Sequence, residues 1–163
     1  MDPKEKVHEI LKKFRTAMFV SGKPGGEWES RPMQVAKVED NGDLWFFTNK
    51  SGRLADELDT NPAVLLVLQE DGSYYLSLRG NARKVHDASK IRELFSEPYK
   101  VWFPGGPDDP QLLLIGVNPV SAEYWDTAGT NKLQYMFEAV KAYVKGTTPE
   151  LRDDPDHHAK TRL

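Results

Sequence analysis

Thr48 to Arg53, Thr-Asn-Lys-Ser-Gly-Arg, sets two hydroxyls, a glycine and two cations directly before a helix-like segment. Hydroxyls, backbone N–H groups and cations gathered at a helix start suit a phosphate, because all of them face negative charge favourably. The same residues suit ordinary helix capping. Taken alone, the stretch reads first as a capped strand-to-helix turn and second as an anion site. Other chemistries find less support. There is no Ser-His-Asp arrangement, no HExxH and no Walker-type loop. Ser21-Gly22-Lys23-Pro24-Gly25-Gly26 lacks the Gly-Lys-Ser/Thr ending of a P-loop and reads as a turn. His157 and His158 lie beside Asp153, Asp154 and Asp156. A solvated tail is the expectation there, so no metal site is assigned, and no side chain is assigned a catalytic role.

Composition narrows the field. The 163-residue chain is long enough for one domain with a proper core, and its 39% hydrophobic and 29% charged residues are ordinary for a globular protein. A net charge of −3 argues against a nucleic-acid surface. Any phosphate site must therefore be local. With no cysteine, thiolate nucleophiles, thiolate metal sites and disulfides are excluded. No apolar run approaches a membrane span, and the charged amino terminus carries no secretory signal. A cytoplasmic protein is expected.

The elements that would position the turn follow from periodicity. Val7, Ile10, Leu11 and Phe14 give a first helix one apolar face, with Asp2 as N-cap and Pro3 behind it. Strands are expected at Thr16–Gly22, at Ser30–Glu39 with Pro32 at an edge, and at Leu44–Thr48 after a hairpin turn at Asn41-Gly42. A helix carrying Leu54, Ala55 and Leu58 ends before Pro62. Ala63–Gln69 reads as a strand buried on both faces. Tyr74–Val85 is a long strand bent at Gly80. A helix with Ile91, Leu94 and Phe95 and a Gly/Pro/Asp loop lead to two strands around Asn118-Pro119. Lys132–Lys145 reads as a last amphipathic helix, and residues 146–163 as a mobile polar tail. The sum is mainly β with flanking helices, a closed or partly closed antiparallel barrel forming a single domain over residues 1–145.

The order of these pieces resembles the flavin-binding split-barrel proteins related to pyridoxamine 5′-phosphate oxidase, and within them the general stress protein 26 subgroup. Ser30-Arg31-Pro32-Met33, the stretch from Phe46 to Pro62, the loop Trp102–Pro110 and the segment Leu112–Asp126 carry the likeness. The resemblance implies a six-stranded antiparallel split β-barrel that forms a homodimer, with FMN in a cleft between the subunits. It implies that Arg31 reaches the FMN phosphate and that Pro32, Met33 and Gln34 border the flavin ring. Phe47, Thr48, Ser51, Gly52 and Arg53 would complete the cradle. Trp125, more often a packing residue in a late strand, would lie near the flavin of the partner subunit. The Asn41-Gly42 hairpin would bring Arg31 and Arg53 toward the same end of adjacent strands.

Two departures matter. A lysine that follows the turn arginine in the oxidase is Leu54 here. No arginine-rich segment follows the last expected barrel strand. Oxidation of pyridoxamine phosphate is therefore not expected. What remains is an FMN-dependent oxidoreductase of a stress type with a small-molecule electron donor and an unassigned substrate, or a non-catalytic flavin carrier or sensor.

Overall fold

A computed structural model describes residues 2–23, 25–70, 72–128, 140–142, 144–146 and 158–163. Helix α1, Pro3–Leu11, starts where Asp2 accepts the Lys4 N–H at 3.1 Å, with proline in its first turn. It buries Val7, Ile10 and Leu11. The strands are β1 Thr16–Gly22, β2 Trp28–Gln34, β3 Lys37–Val38, β4 Leu44–Asn49, β5 Ala63–Glu70, β6 Tyr74–Val85, β7 Leu112–Asp126 and β8 His158–Arg162. Helix α2, Arg53–Thr60, joins β4 to β5, and α3, Ala88–Leu94, follows β6. All neighbouring pairs are antiparallel, in the order β2-β1-β5-β6-β7-β4-β3, with β8 added to β7.

The sheet curls on itself. Phe19 on β1 and Phe46 on β4 are far apart in strand order, yet their rings meet edge to face at 5.3 Å. Inward residues of β1, β5, β6 and β7 (Phe19, Leu66, Leu78, Tyr124 and their neighbours) close on Met33 and Leu44, while α1 and α2 contribute Ile10, Leu54 and Leu58. The split-barrel expectation is met, with eight strands among the described residues where six were expected. A second cluster lies on the other face of β4. There Trp45 and Phe47 pack with Leu94, Tyr99, Phe103 and Leu114 under α3 and the 3-10 turns that follow it.

Four expectations change. The strand expected over Ser30–Glu39 is interrupted at Val35-Ala36 and changes partner, β2 pairing with β1 and β3 with β4. Pro32 does sit on the edge strand, where its missing N–H costs least. β5 is not buried on both faces: Val64, Leu66 and Leu68 point inward, whereas Val67 is 43% exposed. Leu112–Asp126 is one strand rather than two, because Val120 is accommodated as a bulge opposite Arg79 and Gly80. Part of the expected mobile tail pairs with β7 as β8, covering the edge that β4 leaves free. The expected last helix lies largely outside the described residues, as does His157.

Two glycines were readable in advance. Gly42 closes the β3–β4 hairpin at φ 92°, after a turn in which its N–H meets Glu39 C=O at 2.9 Å. Gly80 lies at the bulge, where a Cβ would stand 2.5 Å from the Asn118 carbonyl oxygen.

Candidate functional site

Period-two alternation on β2 sends Glu29, Arg31 and Met33 to the inner face and leaves Ser30, Pro32 and Gln34 on the outer one. Opposite them on β1, Ser21 pairs with Glu29 and Phe19 with Arg31. The Arg31 guanidinium is held on all sides. One nitrogen donates to Ser21 Oγ at 2.7 Å and toward Phe19 C=O at 3.5 Å. The other donates to Glu29 Oε2 at 3.3 Å and Glu57 Oε2 at 3.2 Å. Ser21 also donates to Glu57, and both residues are buried.

Arg53 opens α2 and reaches back over β2 to Glu29 Oε1 at 2.9 Å. Lys23, in the turn between β1 and β2, meets the same oxygen at 2.6 Å. Arg31 and Arg53 thus come together as expected, though β2 and β4 are not adjacent strands and a carboxylate joins the two arginines. The Lys23 ammonium, and then Arg53, hold the Glu29 carboxyl below its ordinary range.

The turn before α2 differs from the capping expectation. Gly52 is the N-cap, and no side chain caps the helix. Ser51 donates its hydroxyl to Gln111 Oε1 at 2.9 Å, and its N–H goes to Asn49 Oδ1 at 2.8 Å. Gly52 N–H returns to Asn49 C=O at 3.0 Å, while Thr48 ends half-buried on the inner face of β4. A carboxylate-rich cluster therefore stands beside an uncapped helix start that bears Arg53. Leu54 is core, 4% exposed.

The other expected residues are placed elsewhere. Phe47 turns away from Phe46, and its ring meets Tyr99 at 4.9 Å and Phe95 at 6.1 Å. Trp125 is on the outer face of β7, stacked on His158 at 5.1 Å with planes 12° apart, and His158 Nε2 lies 3.0 Å from Glu123. Neither shares a face with Arg31 within one chain.

Sequence reasoning missed Lys23, Ser21 and Glu29, and it offered Glu57 as a partner of Arg53, whereas Glu57 meets Arg31 and Arg53 meets Glu29. Glu29 was findable, since it is two residues from Arg31 on the same strand face. Glu57 carried a sharper signal: a carboxylate between Leu54 and Leu58 on the buried face of a short helix. Its Oε1 is buried with no hydrogen-bond partner among the described residues, an unusual condition for a native carboxylate.

Comparison with known proteins agrees with this frame. The family described as "Pyridoxamine 5'-phosphate oxidase like" matches residues 2–150. The chain belongs to that family. A general stress FMN/FAD binding protein from Xanthomonas citri superposes with a TM-score of 0.67 at 29% identity, over 78% of this chain and 91% of that one. A Jannaschia sp. CCS1 protein described as a candidate general stress protein 26 matches over 99% of both chains, with a TM-score of 0.75 and 27% identity. The bli-3 protein of Neurospora crassa is 31% identical over 105 residues, 58% of this chain and 50% of that protein. The chain thus spans about half the length of the curated relative that it matches. Among the described residues, no helix is long and apolar enough to cross a membrane, and no three or more His, Cys, Asp or Glu side chains are gathered as a metal site.

Proposed function

We propose that this pyridoxamine 5′-phosphate oxidase-like chain binds FMN and acts as a small flavin-dependent oxidoreductase of the general stress type. The observation that carries the proposal is the convergence of Arg31, Arg53 and Lys23 on one carboxylate beside an uncapped helix start. Two arginine forks match phosphate geometry, and charge-assisted bonds of this kind contribute about 1.5–3 kcal/mol each. Arg31 and Arg53 would hold the phosphate, helped by the first-turn N–H groups of α2. The backbone of Pro32, Met33 and Gln34, on an edge strand, would border the ring. FMN, when bound, supplies two-electron chemistry itself, so the protein needs to bind, orient and shield it.

A homodimer is part of the proposal. The outer face of the sheet presents Met18, Val67, Tyr75 and Val120, each 39–49% exposed. Beside them runs a cavity of about 570 Å³ lined by Val20, Trp28, Leu65 and Arg79 among others. An apolar face of this kind favours burial against a second copy. Trp125, on the outer face of β7, would approach a flavin only across such an interface. The electron donor in this proposal is a small molecule, the location is cytoplasmic, and the net charge of −3 weighs against a nucleic-acid partner.

The absorption spectrum of the purified protein, followed by pigment release, tests the binding. Protein that neither carries flavin nor takes up added FMN overturns it. Anaerobic reduction of the bound flavin by NADH or NADPH tests turnover. Reduction no faster than that of free flavin favours the alternative, a non-catalytic carrier or sensor, in which the same phosphate cluster serves for retention alone.

A further inference from the structure

The two carboxylates around Arg31 differ in how firmly they are placed. Glu57 is 5% exposed, fixed on α2 between buried Leu54 and Leu58, and takes the Ser21 hydroxyl as well as Arg31. Glu29 has its side chain 21% exposed, near the start of the edge strand and next to the β1–β2 turn. Its ion-pair partners are Lys23 at 2.6 Å, Arg53 at 2.9 Å and Arg31 at 3.3 Å, and the Glu57 carboxyl also lies within hydrogen-bond reach of it. One carboxylate is built into the core, whereas the other is a partly exposed side chain at the rim, held by three cations.

Charge sharpens the distinction. Lys23, Arg31 and Arg53 face Glu29 and Glu57, leaving one net positive charge. With Glu29 withdrawn, the three cations face Glu57 alone, leaving two. A phosphate monoester carries about −1.5 to −2 near neutral pH. By charge, the socket therefore matches a phosphate dianion better when Glu29 is out of it than when Glu29 is in place.

We propose that Glu29 is the resident counter-ion of a phosphate site whose third cation is Lys23, and that a phosphomonoester binds by displacing the Glu29 carboxylate. The proposal rests on the phosphate reading of Arg31 and Arg53. Binding is then an exchange of one anion for another. A dianion gains over the departing single charge. A neutral ligand leaves Glu29 seated and gains nothing from the socket, so Glu29 sets selectivity for phosphorylated ligands over their dephosphorylated forms. Glu57 stays behind and keeps the Arg31 fork aimed, which a departing carboxylate could not do.

The test titrates FMN, riboflavin and inorganic phosphate against flavin-free wild-type protein and the variants Glu29→Gln, Glu29→Ala and Lys23→Met, at one low ionic strength, with thermal melting to confirm folding. Removing the competing carboxylate should tighten FMN and inorganic phosphate by about tenfold or more in both Glu29 variants. Riboflavin should stay within about twofold, an outcome that a merely structural role would not give. Lys23→Met should weaken FMN and phosphate, and weaken them more when combined with Glu29→Gln, where no carboxylate competes for the lysine. Unchanged or weaker phosphate binding in the Glu29 variants overturns the exchange, as does phosphate binding to none of the proteins. If Arg31→Ala weakens FMN while Glu29→Gln changes nothing, the exchange falls and the flavin reading stands. If FMN binds neither wild type nor variant but phosphate affinity still depends on Glu29, the flavin reading falls and the exchange stands.

Discussion

Among the described residues, the charged side chains around Trp45 and those around Arg31 form two clusters that are finished to different degrees. Around Trp45, Arg83 bridges Asp43 at 3.1 Å and Asn118, while Asn118 donates to Asp43 at 2.9 Å. Trp45 Nε1 donates to Glu39 at 3.1 Å, and Lys37 and Lys90 span Glu39 and Glu93. Arg83 and Lys90 also lie 5.0 and 5.3 Å from the Trp45 ring. Three cations meet three carboxylates, and no side-chain polar atom there is buried without a partner. Around Arg31, three cations meet two carboxylates, and Glu57 Oε1 is left unmatched. Both clusters tie β-strands to helices. Only the second keeps an excess of charge, and that excess marks it as the one with something still to bind.

The largest expected effect breaks the unfinished cluster at its centre. Arg31→Ala leaves the Glu57 carboxylate buried without its cation, which should cost about 3 kcal/mol of stability. It should also weaken FMN by over about tenfold. Denaturant unfolding and flavin titration on one preparation check both. Undiminished FMN affinity in the folded variant would remove Arg31 from the site.

Next comes a change that disturbs the finished cluster and leaves every side chain around Arg31 in place. Gly80→Ala puts a Cβ against the Asn118 carbonyl, which belongs to backbone and has little room to retreat. Arg83 and Asn118 would be forced apart from Asp43, at a cost of about 2–3 kcal/mol. FMN affinity should stay within about twofold. A large loss of FMN binding would mean that the two clusters communicate through β6.

Arg53→Ala separates binding from stability. The Arg53 side chain is 78% exposed, and its partner Glu29 keeps Lys23 and Arg31. Stability should move by no more than about 0.5 kcal/mol, while FMN weakens by over about tenfold. A stability loss rivalling that of Arg31→Ala would make Arg53 a structural tie instead.

What the sequence made legible follows the same division. Alternation and turn chemistry placed the barrel, the Gly42 hairpin and the Gly80 bend, because each is decided by a few neighbouring residues. Arg31 and Arg53 were legible as a pair only through the order of motifs. Their meeting point was only half legible: Glu29 lies two residues from Arg31 but 24 from Arg53, and ion pairing leaves no period in a sequence. Phe47 was assigned to the cofactor by its neighbours in the chain. The structure shows the reason for its other placement: β4 is covered on both faces, so Phe46 and Phe47 are each buried, in different clusters. β8 was missed because a polar segment has no apolar face to announce its pairing.

The smallest effect separates the clusters by pH. Lys90, then Lys37, holds the Glu39 carboxyl below its ordinary value, and Lys37, then Lys90, does so for Glu93. Lys23, then Arg53, does the same for Glu29. A carboxyl depressed in the folded chain contributes stability that is present above its unfolded value, near 4.5, and lost as the pH falls through the lower folded value. Lys90→Met removes the main depressing partner of Glu39, so the acid unfolding midpoint should rise, while FMN affinity at pH 7 stays within about twofold. Lys23→Met should also raise the acid midpoint, and it should weaken FMN. Both lysines sit beside carboxylates on the surface of the same barrel, so only their surroundings distinguish them. If Lys90→Met disturbs FMN as much as Lys23→Met, charge balance is the wrong criterion for telling a binding cluster from a structural one in this fold.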